Sequence, residues 1–225
     1  REAMTAIWAS RAGLSEEEIL GIANLVPATW APIRNALDEA LLDANGRLTF
    51  AHDYLRSGVK KRYLITPSKR KKTHASIASW FSTKKITARR IEEEAYQLRL
   101  AGDWATLRSL LTCRKAFCIA IDSMPMEEFT LYWTELGKHR FWDAELQYKR
   151  AWSSWSRQES LSNLLGTASL LSKFFNYSGR YGAFAEKLIK LRRDIYTRSR
   201  SSSLRIGFQS AIELGELYRR RAEYK

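Results

Sequence analysis

The sequence is poor in the residues that carry most metal and thiol chemistry: two cysteines, Cys113 and Cys118, and three histidines, His52, His74 and His139, among 225 residues. Two thiols cannot make a disulfide framework, and five positions apart in a helical pattern they do not face one another. Two buried thiols in a reducing compartment are therefore expected. H-E-x-x-H, C-x-x-C and G-x-S-x-G are all missing, which removes the common zinc, redox and nucleophile-elbow arrangements. No phosphate-cradling G-x-x-x-x-G-K-[ST] loop occurs either, since Gly137-Lys138 is followed by His139 and Tyr132 stands where the first glycine should. Neither a metal site nor catalysis by this chain alone is expected. No apolar run approaches the roughly 18 to 20 residues that span a bilayer, and no basic segment followed by an apolar one opens the chain. A cytoplasmic chain with no membrane partner is the expectation.

What is present suffices for a globular core: 45% of residues are hydrophobic, and the 28% that are charged are ordinary for such a protein. The charge is uneven. Residues 1–59 carry 5 Lys/Arg against 8 Asp/Glu, a net −3, while residues 60–225 carry a net +17. A field of that sign attracts nucleic acid, an anionic surface or an acidic protein, and says nothing about fold.

Along the chain, Met4, Ile7 and Trp8 share one helix face, with Gly13 as the expected end of that helix. Ser15-Glu16-Glu17-Glu18 has the form of a capping box, so a second helix starts there and runs to about Asn24, with Pro27 stopping anything beyond. A third helix is expected from Trp30-Ala31-Pro32, with Ile33, Leu37, Ala40 and Leu41 in a 3.6-residue period. Asn45-Gly46 between two apolar runs is a strong hairpin signal over 41–50. Three helices followed by a hairpin is the element order of a winged helix. The next helix, about 53–64, puts Tyr54, Leu55, Val59 and Tyr63 on one face.

After Pro67 a basic run, Ser68-Lys69-Arg70-Lys71-Lys72, leads into an apolar stripe of His74, Ile77, Ala78, Trp80 and Phe81. From Ala88 onward only helical periodicity remains. Breaks are expected at Gly102-Asp103, Asp122–Pro125, Gly137-Lys138, Gly179-Arg180 and Arg200–Ser203. A shift of 43 residues sets Gly207 over Leu164, Ala211 over Ala168, Leu214 over Leu171, Leu217 over Phe174 and Tyr218 over Phe175, so large and small positions recur. That period suits a long-helix tetratricopeptide repeat, with helices at about 159–177, 181–198 and 203–220. About one and a half repeats cannot close a solenoid, because each repeat buries its apolar face on the next. The chain is therefore expected to be a piece of a longer polypeptide, with further repeats after Lys225.

Eight tryptophans among basic residues could stack single-stranded nucleic acid. Trp104, Trp133, Trp142, Trp152 and Trp155 sit instead on apolar faces or at helix turns, where core packing is the simpler reading. The helix over 30–41 has Arg34 against Asp38 and Glu39, a composition suited to packing on protein rather than to reading a groove. Lys60-Lys61-Arg62 and Lys69–Lys72 keep non-specific nucleic-acid binding open.

Three stretches carry a family resemblance: 10–20 (SRAGLSEEEIL), 26–33 (VPATWAPI) and 43–56 (DANGRLTFAHDYLR). Together they resemble the winged-helix segment that follows the nucleotide-binding domain in NACHT-type STAND ATPases of the nephrocystin class. Residues 95–107 (AYQLRLAGDWATL) and 132–137 (YWTELG) resemble the helical linker of those proteins, and Gly179-Arg180-Tyr181 resembles their first tetratricopeptide repeats. The resemblance implies a mainly α chain: a winged-helix-like part with one small hairpin over 1–65, a helical arm over 66–157, and the start of an α-solenoid over 158–225. It further implies that His52 touches the phosphates of ADP held by a preceding domain that binds ADP or ATP. The partners implied are that domain, a protein ligand on the repeats, and further copies on activation. From the residues alone, the alternative is that Asp53 caps the helix while His52 packs or caps locally. Two other readings share the fold: a basic helical nucleic-acid-binding protein, and a plain tetratricopeptide scaffold with no ATPase attached.

Overall fold

A computed structural model describes residues 1–198 and 219–220. These residues form twelve α-helices and one two-stranded hairpin, which meets the expectation of a mainly α chain with a single small β element. The chain divides into two compact units, Arg1–Leu107 and Arg108–Lys225. The counterparts from Gly207 to Tyr218 that give the 43-residue period, the helix expected at 203–220, and the break at Arg200–Ser203 lie outside the described residues, save for 219–220.

The first unit is built on α1 (Glu2–Ala9), whose buried face of Ala3, Ala6, Ile7 and Ala9 is covered by α2 (Glu16–Ala23), α4 (Asp53–Tyr63) and α5 (Pro67–Ser82). The capping box forms as the sequence requires: Ser15 Oγ accepts from the Glu18 amide at 3.2 Å and Glu18 accepts from the Ser15 amide at 2.9 Å. α2 then closes on Asn24 in the left-handed region, at φ 52°. Gly13 does not end α1, which stops at Ala9. The 10–14 segment instead crosses the hairpin, where Leu14 and Leu48 exchange backbone hydrogen bonds of 3.1 and 2.8 Å. Gly13 has φ +78°, and a Cβ there would lie 2.9 Å from the Leu48 carbonyl oxygen, so this close crossing requires glycine.

α3 (Pro27–Ala36) corrects two expectations. Pro27 starts the helix rather than stopping one, because its missing N–H and fixed φ cost nothing in a first turn. Ala40 and Leu41 leave the helix, since Asp38–Ala40 tightens to a 3-10 turn and Leu41 opens β1 (Leu41–Ala44) opposite Phe50 of β2 (Arg47–Phe50). Leu41 and Leu48 are buried with Ile7, Leu14, Ile19 and Trp30, so burial in the sheet overrides the helical period. Asn45 and Gly46 both take positive φ, 57° and 77°, as a two-residue hairpin loop demands.

In α4, Tyr54 is exposed while Leu55, Val59 and Tyr63 are half-buried, so the expected common face does not include Tyr54. The basic run lies inside α5, capped by Thr66, and its Ile77 and Phe81 join the core beneath α1. α5 packs along α6 (Ala88–Ala101), which ends on Gly102 at φ 78° where a break was expected. α7 (Trp104–Leu111) crosses the division between the units.

The second unit contains α8 (Arg114–Ser123), α9 (Met126–Arg140), α10 (Ala144–Gln158), α11 (Leu161–Tyr177) and α12 (Ala183–Arg198). Gly137-Lys138 is not a turn. α9 continues through it because Leu136 is buried and Glu135 reaches His139 one turn on at 3.3 Å, offsetting a glycine cost of about 1 kcal/mol. The helix stops at Phe141, in the left-handed region at φ 54°. An aromatic core joins Phe117, Phe129, Trp133, Tyr148, Trp155, Phe174 and Phe175. Trp133, Trp152 and Trp155 are buried and Trp104 and Trp142 half-buried, which accords with packing rather than a stacking surface. Cys113 and Cys118 are half-buried rather than buried. Among the described residues no helix is long and apolar enough to cross a membrane.

Candidate functional site

The junction at His52 is held from behind. The Ala51 amide donates to the Ala40 carbonyl at 3.0 Å, and Phe50 packs against the core, so the end of β2 is fixed before α4 begins. The helix starts at Asp53 itself, which puts His52 in the cap position with extended backbone, φ −139°. No side chain closes the cap. Asp53 therefore does not cap α4 as expected, but adds a negative charge in the first turn, where the helix dipole favours one. Both side chains are exposed. The His52 ring stacks on the exposed Tyr54 ring, 5.3 Å between centroids and 14° between planes, and among the described residues its nitrogens make no hydrogen bond. Chemically this is an exposed donor or acceptor at the positive end of a helix.

A second polar constellation, which the sequence reading passed over, lies between the start of the chain and α6. Glu93 is fully buried. It accepts from the Arg11 amide at 2.9 Å, from Gln97 Nε2 at 2.7 Å and from Arg89 at 2.7 Å. Arg89 forks further to both oxygens of Glu18, at 2.9 and 2.8 Å, and to the Gly13 carbonyl at 2.9 Å. Burial works against the Arg89 charge, but Glu18 and Glu93 outweigh it and hold the guanidinium above its ordinary pKa. Gln97 Nε2 also donates to the Ala9 carbonyl at 2.8 Å, and Gln97 Oε1 lies 2.6 Å from Nδ1 of the buried His74. The network thus satisfies backbone groups of the α1–α2 connection with side chains from α6. Its sequence signal was the i,i+4 spacing of Arg89 with Glu93 and Arg90 with Glu94, but nothing local pointed to Glu18, 71 residues away.

In the second unit α10, α11 and α12 pack on one another. The connection from α11 to α12 turns on Gly179, at φ 68°, with the Arg180 amide donating to the Phe175 carbonyl at 2.8 Å and the Tyr181 hydroxyl to the Asn176 carbonyl at 3.2 Å. Glu145 of α10 accepts from the Phe184 and Ala185 amides at 2.8 and 3.3 Å, so one helix caps the start of another. Tyr148 lies at the centre, its hydroxyl donating to the Leu111 carbonyl at 3.0 Å and accepting from Trp133 Nε1 at 3.3 Å. Burial raises its pKa well above the ordinary phenol value. Among the described residues no group of three or more His, Cys, Asp or Glu side chains could hold a metal ion.

No protein-family model matches the chain, and no solved structure matches it. A TPR repeat-containing protein of Dictyostelium discoideum is 26% identical over 136 residues, which is 59% of this chain. The chain spans 8% of the length of that protein, so its likeness is to one stretch of a much larger tetratricopeptide-repeat relative.

Proposed function

We propose that this chain is a protein-recognition segment of the tetratricopeptide class, without catalysis of its own. The observation that carries the proposal is the likeness to a TPR repeat-containing protein, and the mutual packing of α10, α11 and α12 supports it. Solenoid helix pairs bury one face on their neighbours and leave the other for a ligand. On α11 the buried face is Leu164, Ala168, Leu171 and Phe175, while Leu161 and Lys173 remain exposed. A photo-crosslinking residue at 161 or 173 of the full chain tests it: a discrete protein adduct, identified by mass spectrometry, is expected. Adducts that disappear with nuclease would overturn it.

The finer reading is a regulatory segment of a STAND-type signalling ATPase. Residues 1–65 act as a winged-helix-like domain docked on a preceding nucleotide-binding domain, 66–157 as an arm, and 158–225 as the start of the repeat array. An imidazole donor bonds a phosphate oxygen readily, so the exposed His52 touches bound ADP in the resting state. Partner binding on the repeats breaks that contact and permits assembly into oligomers. The support for this reading is the rigidly held end of β2 and the unbonded His52 ring beside it. In the longer polypeptide, His52→Ala is expected to release ADP faster than wild type; unchanged ADP retention would sink the contact.

A further inference from the structure

In the first unit a cavity of about 360 Å3 opens among α1, α4, α5 and α6. Trp8 and Tyr96 contribute aromatic surface, and Arg56, Arg70, Lys71 and His74 contribute cationic or ionisable groups; among the described residues no carboxylate lines it. Among the described residues Arg56, Arg70 and Lys71 form no ion pair with an acid. Arg70 is held in place through Nη1, which donates to the Leu64 and Ile65 carbonyls at 2.9 Å each, and the Arg56 guanidinium lies 6.0 Å from the Trp8 ring centroid. Like charges gathered at a partly enclosed site repel one another, and an anion placed among them reverses the sign of that interaction.

His74 sharpens the chemistry. Gln97 Nε2 donates to Ala9 and Glu93, so Gln97 Oε1 is an acceptor and His74 Nδ1 carries the hydrogen. Among the described residues His74 Nε2 makes no hydrogen bond, so it presents a lone pair when the ring is neutral and an N–H when it is protonated. Burial lowers the His74 pKa, with the positive charges of Arg56 and Arg99 adding to it, while the Gln97 hydrogen bond works the other way. The groups around the ring are Trp8 of α1, Arg56 of α4, Arg70 and Lys71 of α5, and Tyr96, Gln97 and Arg99 of α6, with Glu93 behind Gln97.

We propose that this cavity binds a small aromatic phosphomonoester, its phosphate among Arg56, Lys71 and His74 and its ring against Trp8 and Tyr96. A phosphomonoester carries about −1.5 to −2 charge at pH 7, and it meets two fixed cations, Arg56 and Lys71, beside the ionisable His74. The volume lies at the small end of the roughly 300 to 1,000 Å3 typical of small-molecule sites. The bound dianion favours the charged imidazole, so His74 takes up a proton on binding. The inference does not depend on the protein-recognition reading.

Isothermal titration of the full chain with phenyl phosphate and with inorganic phosphate tests it, run near pH 7 in two buffers of different ionisation enthalpy. One-to-one binding of phenyl phosphate is expected, at least about tenfold tighter than inorganic phosphate and at least about tenfold weaker in Arg56→Met/Lys71→Met. These two side chains are half-buried and exposed, so that variant is expected to retain the wild-type circular dichroism. Wild type should take up more protons on binding than His74→Gln. Absence of saturation at millimolar phenyl phosphate, equal affinity for inorganic phosphate, or undiminished binding by the double variant would each overturn the proposal.

Discussion

Tyr148 shows how much one buried group can carry. Its hydroxyl serves the Leu111 carbonyl and the Trp133 indole at once. Tyr148→Phe leaves both without that partner and is expected to lower stability by about 1 to 3 kcal/mol, read from the midpoint of urea unfolding. Arg89 is bound more tightly, since removing it strands the buried Glu93; Arg89→Met is expected to cost about 3 to 5 kcal/mol by the same measurement. For His74 the sign follows from its lowered pKa. The unfolded chain takes up the proton near the ordinary value of 6.5 while the folded chain resists it, so stability is fully present above 6.5 and falls as pH drops through the lower folded value. Wild type should therefore lose more stability between pH 7.5 and 5.5 than His74→Gln does. Of these partnerships only Arg89 with Glu93, four residues apart, left a local signal in the sequence. His74 fits an apolar stripe equally well, and Glu18 and Arg89 are too far apart in the chain for spacing to connect them.

Element by element, the ends governed by local chemistry were readable. The Ser15–Glu18 capping box, the Asn45-Gly46 turn and the glycine at 102 stand where they were expected, because each depends only on residues a few positions apart. The misplaced ends have tertiary causes. Leu41 follows Phe50 across the hairpin, α9 passes Gly137 under the burial of Leu136, and the cap of α12 comes from Glu145 on another helix. Glu145→Ala is expected to destabilise the second unit by about 1 kcal/mol, the usual cost of a lost cap, and to raise amide exchange at Phe184 and Ala185 first. At the crossing of the hairpin, Gly13→Ala meets both a positive φ and the Leu48 carbonyl, and is expected to cost about 1 to 3 kcal/mol in thermal or urea unfolding.

Over the whole molecule the charge is the dominant long-range property. A net +14 guarantees some attraction to nucleic acid. If recognition is of protein, binding to a single-stranded oligonucleotide should stay in the non-specific range, with Kd about 10⁻⁴ to 10⁻⁶ M at physiological salt and a steep fall as salt rises. Fluorescence anisotropy across a salt series measures it, and a much tighter Kd would favour the nucleic-acid reading.

By itself the sequence determined the class of the protein. Helical periodicity, scarce cysteine and a lone Asn-Gly hairpin signal leave a mainly α chain as the outcome, since periodicity and turn chemistry act over a few residues. Tertiary structure alone decided where the polar groups meet. It packed α5 and α6 into the first unit, set Arg89 between Glu18 and Glu93, left His52 exposed beside Tyr54, and gathered Arg56, Lys71 and His74 around one cavity. Arg89 and Glu93 share α6, and Lys71 and His74 share α5, but Glu18 and Arg56 come from other helices, and only burial of the faces between the helices brings these groups together.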